Sequence, residues 1–254
     1  MTTPPRTVHV EPCMGTVFSF DLRDPGDWTS ALAEAVAWLH EVDATFSTYR
    51  DDSVVSRLSR GELTLPECSA QVQEVFALCE QVFSESKGYF SVRAAPDGGL
   101  DPSGMVKGWA IERASDLLAA HGSRNHAVNG GGDIQLEGES APGQPWRIGI
   151  TDPRNSQRVL VVLAGRDLAV ATSGIAERGA HIVDPHTGRP PSELASVSIV
   201  GRRLTLVDAY ATAAFAMGAD ALAWIESLVG FEGLLVHSDG STHATSGWSD
   251  LTAS

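Results

Sequence analysis

Helix-type and strand-type patterning arrive in separate runs along this chain rather than in alternation, and that order restricts the fold more than any other feature. Leu32, Ala35, Val36, Leu39, Val42 and Phe46 stand at the i, i+3, i+4, i+7 spacing of an amphipathic helix over 27–46. Val72, Val75, Phe76, Cys79, Val82 and Phe83 mark a second helix, closed by Gly88. A third has Asp101 to cap it, Pro102 in its first turn, Val106, Trp109, Ala110, Leu117 and Leu118 facing inward, and Gly122 as its stop. Strand-type alternation runs over 7–22, with a break at Met14-Gly15-Thr16. It returns over 125–129, 133–137, 146–151, 158–164, 167–172 and 195–200. Helices over 206–217 and 219–229 and a strand over 233–237 complete the pattern. Such runs predict an α+β fold, a largely antiparallel sheet packed with helices and a ligand cleft between sheet and helices.

With 254 residues, 43% of them apolar, the chain has enough material for one continuous core, so a single catalytic-size domain over 1–254 is expected. Its N-terminal tip is polar, and the small polar residues after Asp239 predict a frayed tail. A formal charge of -14 with no basic cluster excludes the electrostatic footprint of nucleic-acid binding. That field also repels a polyphosphate unless a divalent ion or backbone dipoles offset it. Cys13, Cys68 and Cys79 lack the paired short spacings of a zinc site and read as buried small hydrophobes. No apolar run reaches the length of a membrane span, and residues 1–8 lack the pattern of a secretory leader. The chain as given therefore reads as cytoplasmic, and as extracytoplasmic if a leader has been removed.

Four blocks carry residues suited to chemistry. On the helix over 206–217, Asp208 and Thr212 lie one turn apart and share a face set in Ala, Val and Phe, an oxygen pair suited to a hard cation such as Mg2+. The same residues also serve as a helix-start carboxylate and a Thr bonded back to its own helix. Asn129-Gly130-Gly131-Gly132-Asp133 brings backbone N–H groups close to a ligand or makes a tight hairpin turn. Asp101-Pro102-Ser103-Gly104-Met105-Val106-Lys107-Gly108 opens a helix whose free N–H groups favour an anion, with Lys107 adding a positive charge. Thr172-Ser173-Gly174 is followed by His181-Ile182-Val183-Asp184-Pro185-His186-Thr187-Gly188. There Asp184 starts a turn, and His181 suits either proton transfer from a hydroxyl or a purely structural place.

Together with Met14-Gly15-Thr16 and Phe46-Ser47-Thr48-Tyr49, these blocks resemble the FAD:protein FMN transferase (ApbE) family, in order and over most of the chain. The resemblance implies Mg2+-dependent transfer of FMN from FAD to a Thr or Ser hydroxyl of an acceptor flavoprotein through a phosphoester bond, with AMP released. It implies that Asp208 and Thr212 ligate the metal with help from a carbonyl near Ser103-Gly104. His181 would activate the acceptor hydroxyl, with Asp184 positioning its turn, and Met14, Tyr49, Ser103, Gly104, Lys107, Gly131, Asp133, Thr172 and Ser173 would line the FAD cleft. Gly88-Tyr89-Phe90-Ser91 departs from the family's Gly-x-Phe-Asp, and Ile175-Ala176 from its acidic-aromatic pair. Acceptor segments of the family resemble D-x-x-(S/T)-G-A-T. Residues 239–245 approach that pattern except at His243, which raises self-flavinylation at Thr245 beside the simpler reading of a polar turn. Two further readings share these residues: an FAD pyrophosphatase, in which water replaces the hydroxyl, and a flavin-binding carrier without turnover.

Overall fold

The fold is described by a computed structural model over residues 6–94, 98–175 and 182–253. In chain order its elements are β1 (Thr7–Cys13), β2 (Thr16–Leu22), α1 (Thr29–Phe46), α2 (Val54–Ser59), α3 (Ala70–Glu85), α4 (Ser103–Ala120), β3 (His126–Gly130), β4 (Asp133–Glu137), β5 (Trp146–Asp152), β6 (Asn155–Gly165), β7 (Ala169–Gly174), β8 (Leu194–Gly201), α5 (Leu204–Met217), α6 (Ala221–Glu226), β9 (Glu232–His237) and β10 (Thr242–Ala244). Eight strands form one sheet in the order β1-β2-β3-β4-β7-β8-β9-β10, and β5 and β6 form a separate hairpin. Every described strand pairing is antiparallel, as the runs of patterning predict.

The sheet has a different cover on each face. Side chains of β2 (Phe18, Phe20, Leu22), β7 (Ala169, Ala171) and β8 (Val197, Ile199) share one core with the helices. The alternate residues Ile134, Leu136, Val170 and Val200 form a second core with Trp146, Ile150 and Leu163 of the β5–β6 hairpin. This is the period-two alternation of a strand with both faces buried. Helix α5 sits at the centre of the helical layer: twelve of its fourteen residues are buried, so its lone carboxylate, Asp208, is enclosed with them.

Three differences from the sequence reading have physical causes. Helix α2 is only six residues long, too short to show a helical period, and Ser53 caps it by accepting the Ser56 N–H at 3.0 Å. The β5 and β6 segments pair with each other rather than joining the main sheet, because strand patterning specifies a buried face and not a partner. The tail is not frayed. Strand β10 pairs with β9, a 3-10 turn covers Trp248–Leu251, and Trp248 is buried in the second core. Burial of that indole is what holds the tail down. No described helix is long and apolar enough to cross a membrane.

Candidate functional site

Two hairpin turns and two helix segments meet at one end of the sheet. The Met14-Gly15 turn joins β1 to β2, and both residues have positive φ, 50° and 68°, as a two-residue hairpin turn requires. The Gly131-Gly132 turn joins β3 to β4 beside it, because Phe18 pairs with Gly130. Gly131 has a φ of 60°, and a Cβ there would stand 3.0 Å from Thr16 Oγ1, so the backbone turn itself forms this surface.

Behind these turns, α4 and α5 pack at glycines. A Cβ on Gly104 would stand 3.3 Å from Thr212 Oγ1, and one on Gly108 would stand 2.7 Å from Asp208 Cβ. Gly104 and Gly108 on α4 thus lie against Thr212 and Asp208 on α5, and the two helices run in opposite directions. Asp208 Oδ2 accepts the Gly108 N–H at 2.9 Å, and Lys107 Nζ lies 3.3 Å from Asp208 Oδ1. Lys107 Nζ also contacts Asp133 Oδ2. The other Asp133 oxygen accepts the Thr172 N–H at 2.9 Å. Ser173 Oγ lies 3.4 Å from Thr212 Oγ1. One unbroken set of contacts therefore joins Gly104, Lys107, Asp133, Thr172, Ser173, Asp208 and Thr212, which come from four elements.

Strand alternation separates Thr172 from Ser173. Ser173 faces the helices, whereas Thr172 Oγ1 pairs at 2.8 Å with Ser198 Oγ on the hairpin face, so Thr172 contributes its main-chain N–H to the cluster. Ser103 is exposed at the start of α4, its N–H held by Asp101 Oδ1 at 2.9 Å. Met14 is half-buried at its turn, and Tyr49, 94% exposed in the loop after α1, lies outside this set of contacts. Asp184 accepts from the His186 N–H and from the Thr187 hydroxyl, both at 2.9 Å, which makes it the organiser of the 184–189 turn. That turn docks near the cluster, since His186 packs edge-on against Tyr89 at 4.6 Å between centroids and the neighbouring Phe90 abuts Gly104. His181 lies outside the described residues.

The cluster offers hard oxygen donors. The carboxylates of Asp133 and Asp208 are 2% and 4% exposed and face a single ammonium, Lys107, so one negative charge in the pair has no cationic partner. Among the described residues no three His, Cys, Asp or Glu side chains converge on a metal position. The donor set fits Mg2+, which takes one or two carboxylates and completes its shell with hydroxyl, phosphate and water oxygens. Gly108 enters the sequence reading only as the end of the Asp101–Gly108 block, although the Gly104-x-x-x-Gly108 spacing is itself a mark of close helix packing. At Thr245 the structure favours the simpler of the two readings, a structural turn residue: it is 5% exposed, and its hydroxyl donates to Glu232 Oε2 and accepts the Gly233 N–H at 2.9 Å.

Comparison with known proteins gives concordant results. A profile of the ApbE family matches residues 14–98 and 92–235. A Vibrio cholerae protein named FAD:protein FMN transferase is 28% identical over 85% of this chain and 83% of its own length. A Rhodobacter capsulatus protein of the same name is 30% identical over 82% of this chain and 38% of its own length. The solved flavin transferase ApbE from Vibrio cholerae superposes with a TM-score of 0.85 at 25% identity, over 97% of this chain and all of that one (100%). The ApbE protein from Thermotoga maritima, at 21% identity and a TM-score of 0.87 over 98% of this chain and 100% of its own, shares the fold.

Proposed function

The chain belongs to the ApbE family and is an FAD:protein FMN transferase, and from that premise we propose that it moves FMN from FAD to a Thr or Ser hydroxyl of an acceptor flavoprotein, with Mg2+ required and AMP released. The observation that carries this reading is the juxtaposition of two buried carboxylates, Asp133 and Asp208, with the half-buried Lys107 and Thr212 beside the start of α4. Asp208 and Thr212 are the residues to hold the ion, with a carbonyl of the Ser103-Gly104 turn. Mg2+ held by these residues would supply charge stabilisation for the diphosphate.

The protein groups do the rest. Lys107 adds positive charge there, and the main-chain N–H of Gly104 in the first turn of α4 faces the phosphates as a helix N-terminus does, while Asp101 holds the Ser103 N–H and so fixes that turn. Gly131 lets the backbone approach the nucleotide, and Met14, Tyr49, Asp133, Thr172 and Ser173 border the flavin. His181 accepts the proton of the acceptor hydroxyl as that oxygen attacks the FMN phosphorus and AMP departs, and Asp184 holds the adjoining turn. Positioning and charge stabilisation thereby supply most of the rate enhancement.

The test compares the wild type with Asp208→Asn, which keeps an acceptor for the Gly108 N–H while removing the charge. With FAD, Mg2+ and an acceptor flavoprotein, FMN mass on the acceptor falls ~100-fold or more, the scale of a few kcal/mol of transition-state stabilisation. Transfer at the wild-type rate overturns the metal assignment. Rapid AMP release without acceptor, and no FMN mass with it, replaces the transferase by a pyrophosphatase.

A further inference from the structure

On the hairpin side of the sheet, away from α4 and α5, an open recess of about 670 Å³ runs between β10 and β6. Thr242 and Ala244 line one side and Arg158 and Leu160 the other, with Arg154 and the buried Trp248 also contributing. Strand β10 is the edge of the eight-stranded sheet, and its three residues are exposed. Ser241 O accepts from His237 N and Thr245 N donates to Gly233 O, so residues 241, 243 and 245 turn their main chain toward β9. Antiparallel alternation then directs the N–H and C=O groups of Thr242 and Ala244 outward, the hydrogen-bonding pattern an added strand needs.

The arginines give the recess a charge preference. Arg154 Nε lies 3.3 Å from Asp152 Oδ1, its guanidinium covers Gly240, and the nearby Asp239 shares its field. Arg158 is different: its side chain is 64% exposed and, among the described residues, makes a single ion-pair contact, at 3.7 Å, to the same Asp152. In a chain with a formal charge of -14 this is a local site for an acidic group. The recess also opens at the functional end of the sheet. Pairing of Gly174 with Ser196, and of Leu194 with His237, puts the β9–β10 turn at the same end as Ser173, and Ser238 N donates to Glu193 O at 2.9 Å.

We infer that this recess seats an extended acidic segment of the acceptor polypeptide, which adds to β10 as a further strand and sets an acidic side chain against Arg158. Edge addition supplies sequence-tolerant main-chain hydrogen bonds and leaves selectivity to the charged side chain. The inference rests on the transferase reading, in which the acceptor is a protein.

The test uses the full chain with FAD, Mg2+ and a synthetic peptide carrying the Asp-x-x-Thr-Gly-Ala-Thr pattern behind a Glu-rich flank. Ala244→Pro removes an outward N–H that β9 does not use, and Arg158→Glu reverses an exposed charge. Each change raises the peptide KM about tenfold, the scale of one lost contact, while the KM for FAD and acceptor-independent AMP release stay at wild-type values. A Lys-rich flank restores transfer by Arg158→Glu. Arg158→Glu alone decides the matter if Ala244→Pro does not fold. A peptide KM unchanged by Arg158→Glu overturns the recess and leaves the transferase standing. Failure of the wild type to place FMN on any protein or peptide while it hydrolyses FAD overturns both.

Discussion

The main-chain N–H of Gly108 donates to Asp208 Oδ2 at 2.9 Å, across a crossing so tight that a Cβ on Gly108 would stand 2.6 Å from the Leu204 carbonyl oxygen. The glycine therefore does two things: it lets α4 approach α5, and it fixes the rotamer of an enclosed carboxylate. Leu204 O is backbone, so it cannot move aside as the tip of a flexible side chain would.

Gly108→Ala is accordingly expected to lower stability by about 1–3 kcal/mol, the usual cost of overpacking. It should also weaken Mg2+ binding, because displacement of α4 turns Asp208 away from Thr212. Urea unfolding and Mg2+ titration by calorimetry check the two effects separately. Unchanged Mg2+ affinity in the folded variant refutes the positioning role.

Lys107 is the one cation touching both Asp133 and Asp208 among the described residues. Lys107→Met leaves two enclosed carboxylates without it, a loss on the order of 3–5 kcal/mol for a broken buried pair. A divalent ion at Asp208 offsets part of that loss, so Mg2+ should raise the melting temperature of Lys107→Met more than that of the wild type. Equal Mg2+-induced shifts in both proteins would show that the ion does not bind beside these carboxylates.

How much of this was legible in the sequence depends on the range of the interaction. Asp208 and Thr212 were readable as a pair because four residues on one helix define a shared face. The antiparallel sheet was readable because its strands carry period two and because helices and strands come in runs rather than in strict alternation. The link from Asp133 through Lys107 to Asp208 was not, since it spans three elements whose relative placement no local pattern records. The opposed faces of Thr172 and Ser173 were implicit in that period but lost when both were grouped as one block. The docked tail went unseen because Trp248 is a lone aromatic among small polar residues, and a single apolar side chain has no period.

His126 is enclosed between Ser115 Oγ at 2.8 Å and Ser123 Oγ at 2.9 Å. Burial lowers its pKa to about 4 from an ordinary 6.5, against a small opposing pull from Asp24. The unfolded chain thus takes up a proton below the ordinary value that the folded protein refuses until about pH 4, so acid favours unfolding across that window. Stability from this group is complete above pH 6.5 and declines by about 2 kcal/mol at pH 5 and about 3 kcal/mol at pH 4. Urea unfolding at pH 7 and pH 5 measures it, and His126→Gln should be less stable at pH 7 yet show a smaller drop between the two. An identical drop in the variant assigns the acid sensitivity to other groups.

Thr245 makes the last case, because its hydroxyl resembles an acceptor in sequence and behaves as a structural group in space. Its oxygen satisfies the Gly233 N–H and donates to Glu232, whose carboxylate also accepts the Gly247 N–H at 3.1 Å. These bonds tie the tail to the start of β9. Thr245→Val keeps the shape and removes the hydroxyl, leaving a buried N–H and a carboxylate short of a partner, at a cost of about 1–3 kcal/mol. The tail should loosen first, seen as faster amide exchange at 242–248 than in α4. Intact mass of the wild type after incubation with FAD and Mg2+ should show no added FMN, since attack by this oxygen would require the tail to leave the sheet. An FMN adduct mapped to Thr245 in folded protein would contradict the enclosed role of this hydroxyl.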